Sequence, residues 1–167
     1  GQLQAAPNQI GLNSPDGAIV DSQNNIYIAD FGNNRVRKMD FATNTISTIA
    51  GTGENYDFPQ NPTTALLAPI YHPKKLLLDS QSNLYISTEK GLILKVQPNG
   101  NISRVAGLPL ESGGILANQA PALNIAMSNP SGLAFDESNN FLYVSDTGYN
   151  RIVRIDLTNN QADVIAG

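Results

Sequence analysis

The stretches Pro15-Asp-Gly-Ala-Ile-Val-Asp21 and Ile49-Ala50-Gly51 open and close a module that this chain of 167 residues contains three times. The second copy runs from Pro73 to Gly107 and the third from Pro130 to Gly167. One aromatic residue recurs at intervals of 58 residues, as Tyr27, Tyr85 and Tyr143. Such self-similarity indicates a repeat architecture, in which each module is one structural unit.

Each module contains four short apolar runs separated by polar turns, which is typical of β-strands. In the first module these runs are Ala18–Val20, Ile26–Ala29, Arg35–Met39 and Ile46–Ala50. The second run is apolar on both alternating faces, so both faces of its sheet need a cover. A tandem array of four-stranded antiparallel sheets, each covered by its neighbours, is a β-propeller. We therefore predict an all-β propeller of three blades.

The same motifs closely resemble the NHL repeat, a family of β-propeller blades. The first module matches the family pattern at Pro15, Gly17, Asp21, Asn25, Tyr27, Asp30, Gly32, Asn33, Arg35 and Val36. The third matches at Pro130, Gly132, Asp136, Tyr143, Asp146, Gly148, Asn150, Arg151 and Ile152. The second departs from the pattern, since Lys75 replaces a glycine and Thr88 replaces the aspartate.

The repeat limits divide the chain into blades and inserts. Blades are predicted over about 15–51, 73–107 and 130–167, and the inserts over 1–14, 52–72 and 108–129. Each insert ends in a stretch of small residues and leucine, which resembles long-insert NHL proteins, and that resemblance implies a short helical turn in the connection. Long connections without strands of their own usually form interfaces or functional sites. The candidates for partner contact are Tyr56, Phe58, Tyr71 and Ile115, although the sequence favours local packing of these side chains over the blade edge.

Composition narrows the function classes. A net charge of −4 with no basic cluster argues against nucleic-acid binding, and no apolar run is long enough to cross a membrane. The chain has no cysteine, so disulfides and thiolate metal sites are excluded. Only 14% of residues are charged, and Asn101-Ile102-Ser103 is an acceptable glycosylation sequon. The low charge, together with turns rich in Asn, Ser and Thr, leads us to expect an extracellular or cell-surface protein.

Two pairs of charged residues bracket the turn after the second strand. Asp30 with Arg35, and Asp146 with Arg151, place a carboxylate where it can accept backbone N–H groups and a guanidinium together. We interpret both pairs as structural turn pairs rather than ligand sites. The second module has no such pair.

Some propellers that resemble this chain are lyases or lactonases with a metal in the central channel. Such sites use several histidines or carboxylates, whereas this chain has one histidine, His72, before Pro73. The inner strands offer mainly alanine, leucine, isoleucine and phenylalanine. We therefore expect no metal, no cofactor and no catalytic activity.

The number of blades bears most directly on function. Propellers close with four to eight blades, so three form an open arc with two apolar faces. Residues such as Ile26, Ile28, Tyr143 and Ile155 are expected on those faces. The interpretation is a structural scaffold that self-associates, as a ring or an end-to-end fibre in which Leu3–Ala6 could complete a neighbour's sheet. Alternatives are a ligand- or glycan-binding piece of a larger propeller, or a lyase-like enzyme with a site shared between chains.

Overall fold

The computed structural model describes residues 5–6, 9–56, 58, 63–108, 114 and 118–167. This part of the chain forms three antiparallel sheets, which we call blades 1, 2 and 3. Blade 1 contains β1 (Gly17–Val20), β2 (Ile26–Asp30), β3 (Arg35–Asp40) and β4 (Thr45–Ala50). Blade 2 contains β5 (Thr63–Thr64), β6 (Pro73–Leu78), β7 (Leu84–Thr88), β8 (Ile93–Val96) and β9 (Asn101–Ala106). Blade 3 contains β10 (Ala120–Pro121), β11 (Pro130–Asp136), β12 (Phe141–Asp146), β13 (Arg151–Asp156) and β14 (Gln161–Ala166).

The four main strands of each blade pair in the order in which the chain makes them. Short 3₁₀ turns at Phe31–Asn33 and Thr147–Tyr149 join the second and third strands of blades 1 and 3. No helix among the described residues is long and apolar enough to cross a membrane. The predicted all-β class with four-stranded repeats is confirmed.

The inserts contribute an extra strand, which the sequence did not predict. Thr63 pairs with Ile102 of β9, and Ala120 pairs with Ala162 of β14. Ala5 forms an isolated bridge with Ile46 of β4. All three positions lie ten residues before the proline that opens a module. Ala5 therefore extends its own blade as Thr63 and Ala120 extend theirs, while Leu3 and Gln4 lie outside the described residues.

After each extra strand the insert makes one 3₁₀ turn, at Ala65–Leu67 and at Ala122–Asn124. Ala65 and Ala122 are buried, since each packs into the junction between two blades. Their carbonyl oxygens accept hydrogen bonds from Gly51 N and Gly107 N, both at 2.9 Å. The insert thus joins the outer edge of one blade to the next.

Two apolar cores lie between adjacent blades. The alternation of β7 shows how one blade serves both: Leu84 and Ile86 belong to the core shared with blade 1, and Tyr85 to the core shared with blade 3. All three side chains are at most 3% exposed. A sheet covered on both faces explains why this strand has no polar face.

The outer faces of blades 1 and 3 carry no further sheet among the described residues. Ile26 and Ile28 lie half-buried on the outer face of blade 1, and Tyr143 on that of blade 3. The prediction for Ile155 was wrong. Its side chain is fully buried against blade 2, because it lies on the same face of β13 as Val153.

The repeated Ala-Gly at the end of each module has a steric cause. Gly51 and Gly107 have φ values of +95° and +92°, which side chains rarely adopt. A Cβ at Gly51 would overlap the carbonyl oxygen of Asn34, and one at Gly107 that of Gly91. Only glycine lets the outermost strand end this close to the turn between the second and third strands.

Replacing Gly51 by alanine should therefore destabilise the protein by about 2–4 kcal/mol, because it adds a backbone overlap to an unfavourable φ. Gly100→Ala is the matched control, since Gly100 also has a positive φ, +85°, but open space around its Cβ position. We expect about 1 kcal/mol there. Urea unfolding of both variants measures the difference, and equal losses would contradict the steric explanation.

Candidate functional site

Buried carboxylates anchor the inserts where the inner strands begin. Asp30 and Asp146 are fully buried at the ends of β2 and β12. Oδ1 of Asp30 accepts the backbone N–H of Asn13 at 2.8 Å, and Oδ1 of Asp146 accepts that of Ser128 at 2.7 Å. Both donors lie two residues before the opening proline. These carboxylates hold the insert against its blade.

The guanidinium partner is as expected in blade 3 and different in blade 1. Arg151 Nε lies 2.8 Å from Asp146 Oδ2, whereas Asp30 Oδ2 accepts Nε of Arg37 at 2.9 Å. Arg35 instead donates to the carbonyl oxygens of Thr52, at 2.6 Å, and Asn33, at 3.2 Å. The predicted Asp30–Arg35 pair is therefore wrong.

Asp30 can pair with either arginine because side chains two residues apart on a strand point to the same face of the sheet. Arg35 and Arg37 are two residues apart on β3, so both point to the face that carries Asp30. In blade 3 the position of Arg37 is occupied by Val153, which leaves Arg151 without a competitor. In blade 2 the hydroxyl of Thr88 replaces the carboxylate and accepts the N–H of Leu92 at 3.2 Å.

A second set of carboxylates closes the turns after the inner strands. Oδ1 of Asp21 accepts two backbone N–H groups, those of Gln23 and Asn25, each at 2.9 Å. Asp79 and Asp136 make the same kind of turn. The side-chain hydrogen bond from Asn139 holds the pKa of Asp136 below its usual value. Their oxygens are thus engaged by the turn.

An aromatic stack lies between blades 1 and 2. The ring of His72 packs between Phe31 and Tyr71, with centroids 4.1 Å and 4.0 Å away. Its Nδ1 lies 2.6 Å from Glu89 Oε2, and Lys90 Nζ sits 4.7 Å from the centre of the Tyr71 ring. Tyr71, a candidate for partner contact, thus packs against its own chain.

The other candidates for partner contact have different surroundings. Tyr56 is 68% exposed, so its ring is available to a partner. Phe58 packs against the core between blades 1 and 2. Ile115 lies outside the described residues. Asn101 is exposed at the start of β9, and its accessibility as a glycosylation site stays a prediction.

The inner strands bring together charges that the sequence did not reveal. Lys75 Nζ lies 2.8 Å from Asp16 Oδ1, and Lys74 Nζ lies 3.7 Å from Asp16 Oδ2. Lys74 also donates to Asn129 Oδ1 at 2.6 Å, which links blade 2 to blade 3. No group of three metal-binding side chains occurs in the ranges that the structure describes.

The outer face of blade 3 has a cleft of about 280 Å³. Ser145, Ile152 and Ala166 form its wall, while Asn150 and Arg151 lie at one end. The equivalent surfaces of blades 1 and 2 receive the insert of the following blade, through Ala65 and Ala122. The cleft therefore has the position of an insert-binding site.

Comparison with known proteins agrees with this architecture. The NHL repeat family model matches residues 12–39, which cover β1, β2 and most of β3. Virginiamycin B lyase from Staphylococcus aureus is similar in structure, with a TM-score of 0.63 and 14% identity over 100% of this chain and 45% of that one.

Two further structures have the same fold at low identity. A gluconolactonase from Xanthomonas campestris gives a TM-score of 0.62 at 10% identity, over 91% of this chain and 46% of that one. An auxiliary nutrient binding protein from Bacteroides ovatus gives 0.60 at 12%, over 88% and 36%. The chain thus spans less than half the length of each of these three structures.

The fold defines the class: three successive blades of a β-propeller. The family model matches the first blade, so residues 12–39 form an NHL repeat within this propeller fold.

Replacing Arg37 by methionine should cost about 3 kcal/mol of unfolding free energy, because it leaves the buried carboxylate of Asp30 without its guanidinium. Arg35→Met is the matched control, two residues away on the same strand face. It removes hydrogen bonds to carbonyl oxygens only, and we expect about 1 kcal/mol. Chemical unfolding compares the two, and a larger loss for Arg35→Met would refute the Asp30–Arg37 assignment.

Proposed function

We propose that this protein is a non-enzymatic interaction scaffold that associates head to tail, with the outer face of blade 1 covering the outer face of blade 3 of a second copy. Two copies would supply six blades and close a ring. The observation that carries the proposal is a repeated apolar side chain in the insert, three residues before the opening proline.

This side chain is Leu12 before blade 1, Ile70 before blade 2 and Met127 before blade 3. Ile70 and Met127 are 0% and 3% exposed, since each lies in the core between its own blade and the preceding one. Leu12 has no preceding blade in the described structure and is 40% exposed. Leu12 is thus an apolar side chain at the equivalent position, but no preceding blade among the described residues buries it as one buries Ile70 and Met127.

The cleft on blade 3 supplies a matching surface. At its end lies Asn150, the equivalent of Asn34 in blade 1. Oδ1 of Asn34 accepts the backbone N–H of His72, one residue before the opening proline of blade 2, at 2.9 Å. Asn150 would accept the N–H of Ser14 from a second copy in the same way. This contact would set the register of the interface.

The sheet faces also match. Ile26 and Ile28 on blade 1 are equivalent to Leu84 and Ile86, which blade 1 buries. Tyr143 on blade 3 is equivalent to Tyr85, which blade 3 buries. The outer face of blade 1 is therefore equivalent to the face that blades 2 and 3 turn toward the preceding blade. The outer face of blade 3 is equivalent to the face that blades 1 and 2 turn toward the following blade. An interface between different faces can close a ring when the rotation permits, and grows a filament when it does not.

The size of similar propellers favours the ring. This chain covers 45% of the virginiamycin B lyase structure, so two copies together approach the length of that protein. The same faces could equally receive further blades of a longer chain. A monomer in solution would favour that alternative over self-association.

A role without catalysis is supported by the state of the single histidine. The ring of His72 is stacked on both sides and its Nδ1 faces Glu89, so it has a packing role between blades. The lysines of the inner strand are likewise engaged, by Asp16 and Asn129. We propose that partners, whether protein or glycan, meet exposed insert residues such as Tyr56.

The head-to-tail interface predicts a distinctive mixing result. Leu12→Asp and Ile152→Asp each place a carboxylate on one of the two faces, so each variant alone should be monomeric. A 1:1 mixture should regain a two-copy species, because blade 3 of the first variant and blade 1 of the second are unaltered. Light scattering gives the masses.

Leu67→Asp is the control for this experiment, since Leu67 is 72% exposed in the 3₁₀ turn and outside both faces. It should keep the mass of the unaltered protein. If the Leu12→Asp or Ile152→Asp protein folds and keeps that mass as well, or if the mixture stays monomeric, head-to-tail pairing is wrong.

We also propose an extracellular location, supported by the low charge and the exposed Asn101. Expression through a secretory pathway should then attach a glycan that Asn101→Gln removes, seen as a loss of mass. An unmodified secreted protein would rule out glycosylation at this residue.

A further inference from the structure

We propose that the cleft between blades 1 and 2 binds a small aromatic carboxylate, with its ring on Tyr27 and its carboxylate on Lys38. This cleft is remote from the faces proposed above to pair, so the inference stands independently of self-association.

The cleft has a volume of about 280 Å³. Its apolar lining comes from Ile49, Leu66, Leu84, Val96 and Pro98, and its polar lining includes Thr64, Ser82 and Gln97. Tyr27 and Lys38 also line it and are paired across β2 and β3. The site therefore joins one aromatic ring and one cation to a lining that is partly apolar and partly polar, as ligand sites commonly do.

The junction between blades 2 and 3 shows what fills such a space. There the ring of Phe135 stacks on Tyr85, the equivalent of Tyr27, with centroids 5.7 Å apart and planes at 25°. Tyr85 is 1% exposed, and this burial raises the pKa of its hydroxyl. The equivalent of Phe135 in blade 2 is Leu78, which has no ring. Tyr27 consequently remains half-buried beside the cleft.

The turn after the third strand is also smaller in blade 2 than in blade 3. Val96 pairs with Ile102, whereas its equivalent Ile155 pairs with Ala162, so the connection between the third and fourth strands is one residue shorter in blade 2 than in blade 3. Pro98 replaces Leu157, which packs against the core between blades 2 and 3. Both changes reduce the volume that blade 2 offers to Tyr27. An aromatic ring supplied from solution would restore the contact that Phe135 makes at Tyr85.

The charge at the cleft favours an anion. Lys38 Nζ forms an ion pair with Asp21 Oδ2 at 4.0 Å, a separation too long for a hydrogen bond, and no hydrogen bond from this ammonium occurs in the part of the chain that the structure describes. Asp21 Oδ2 is already occupied, since it accepts Asn25 Nδ2 at 2.9 Å and the Tyr27 hydroxyl at 3.3 Å. The ammonium of Lys38 can therefore donate to a ligand carboxylate.

Phenylacetate is a suitable probe, because it joins one ring to a carboxylate by a single carbon. Titration calorimetry of the intact 167-residue chain measures its binding. Benzyl alcohol, which lacks the carboxylate, tests the role of the charge, and cyclohexylacetate, which lacks the aromatic ring, tests the role of the ring. We expect phenylacetate to bind at least tenfold more tightly than either.

Three variants locate the site. Leu78→Phe supplies the ring that blade 3 has and should abolish binding, while Lys38→Met should weaken it at least tenfold. Lys95→Met is the matched control, because Lys95 lies 5.4 Å from the Tyr85 ring as Lys38 lies 5.2 Å from that of Tyr27. It should leave the affinity unchanged.

The proposal is overturned if phenylacetate does not bind at millimolar concentration, or if Leu78→Phe or Lys38→Met binds it as the unaltered protein does. Equal affinity for cyclohexylacetate would also overturn it, since the ring of Tyr27 would then play no part. Circular dichroism and urea unfolding confirm that each variant is folded before its binding is compared.

Discussion

The structure depends on one constraint: a four-stranded sheet whose two faces are both apolar must be covered on both sides. Alternate residues of β7 face different blades, so Leu84 and Ile86 pack against blade 1 while Tyr85 packs against blade 3. The inserts reinforce this packing through buried residues such as Ile70 and Met127. Blade 2 is covered by the chain itself, whereas blades 1 and 3 each present one face of the same kind outward. The proposed pairing of copies follows from that difference.

Most of the fold could be predicted from the sequence, because the repeat fixes which residues are equivalent. The four strands of each module and the pair of Asp146 with Arg151 are as expected. The sequence did not show which of the two alternating faces of a strand packs against which neighbouring blade. Ile155 was expected on an open face, but it shares the inward face of β13 with Val153 and is buried.

Side-chain pairing was predictable only where one partner was available. Asp30 has two arginines on the same strand face, and spacing alone could not show that Arg37 reaches it while Arg35 turns to Thr52. Contacts between blades could not be predicted from the sequence for a different reason. Asp16 and Lys75 are 59 residues apart, and no local pattern connects them. The cleft beside Tyr27 was missed because residues from two blades and an insert line it, and they come together only in space.

The mass of the unaltered chain in solution, measured by light scattering over a range of concentrations, tests the central claim most directly. A folded species at twice 17.8 kDa, constant as concentration rises, is the result that two arcs closing a ring predict. A folded monomer at high concentration would contradict it, because the outer faces of blades 1 and 3 would then be stable in water. Growth without limit would contradict the ring and show that the head-to-tail contact builds a filament.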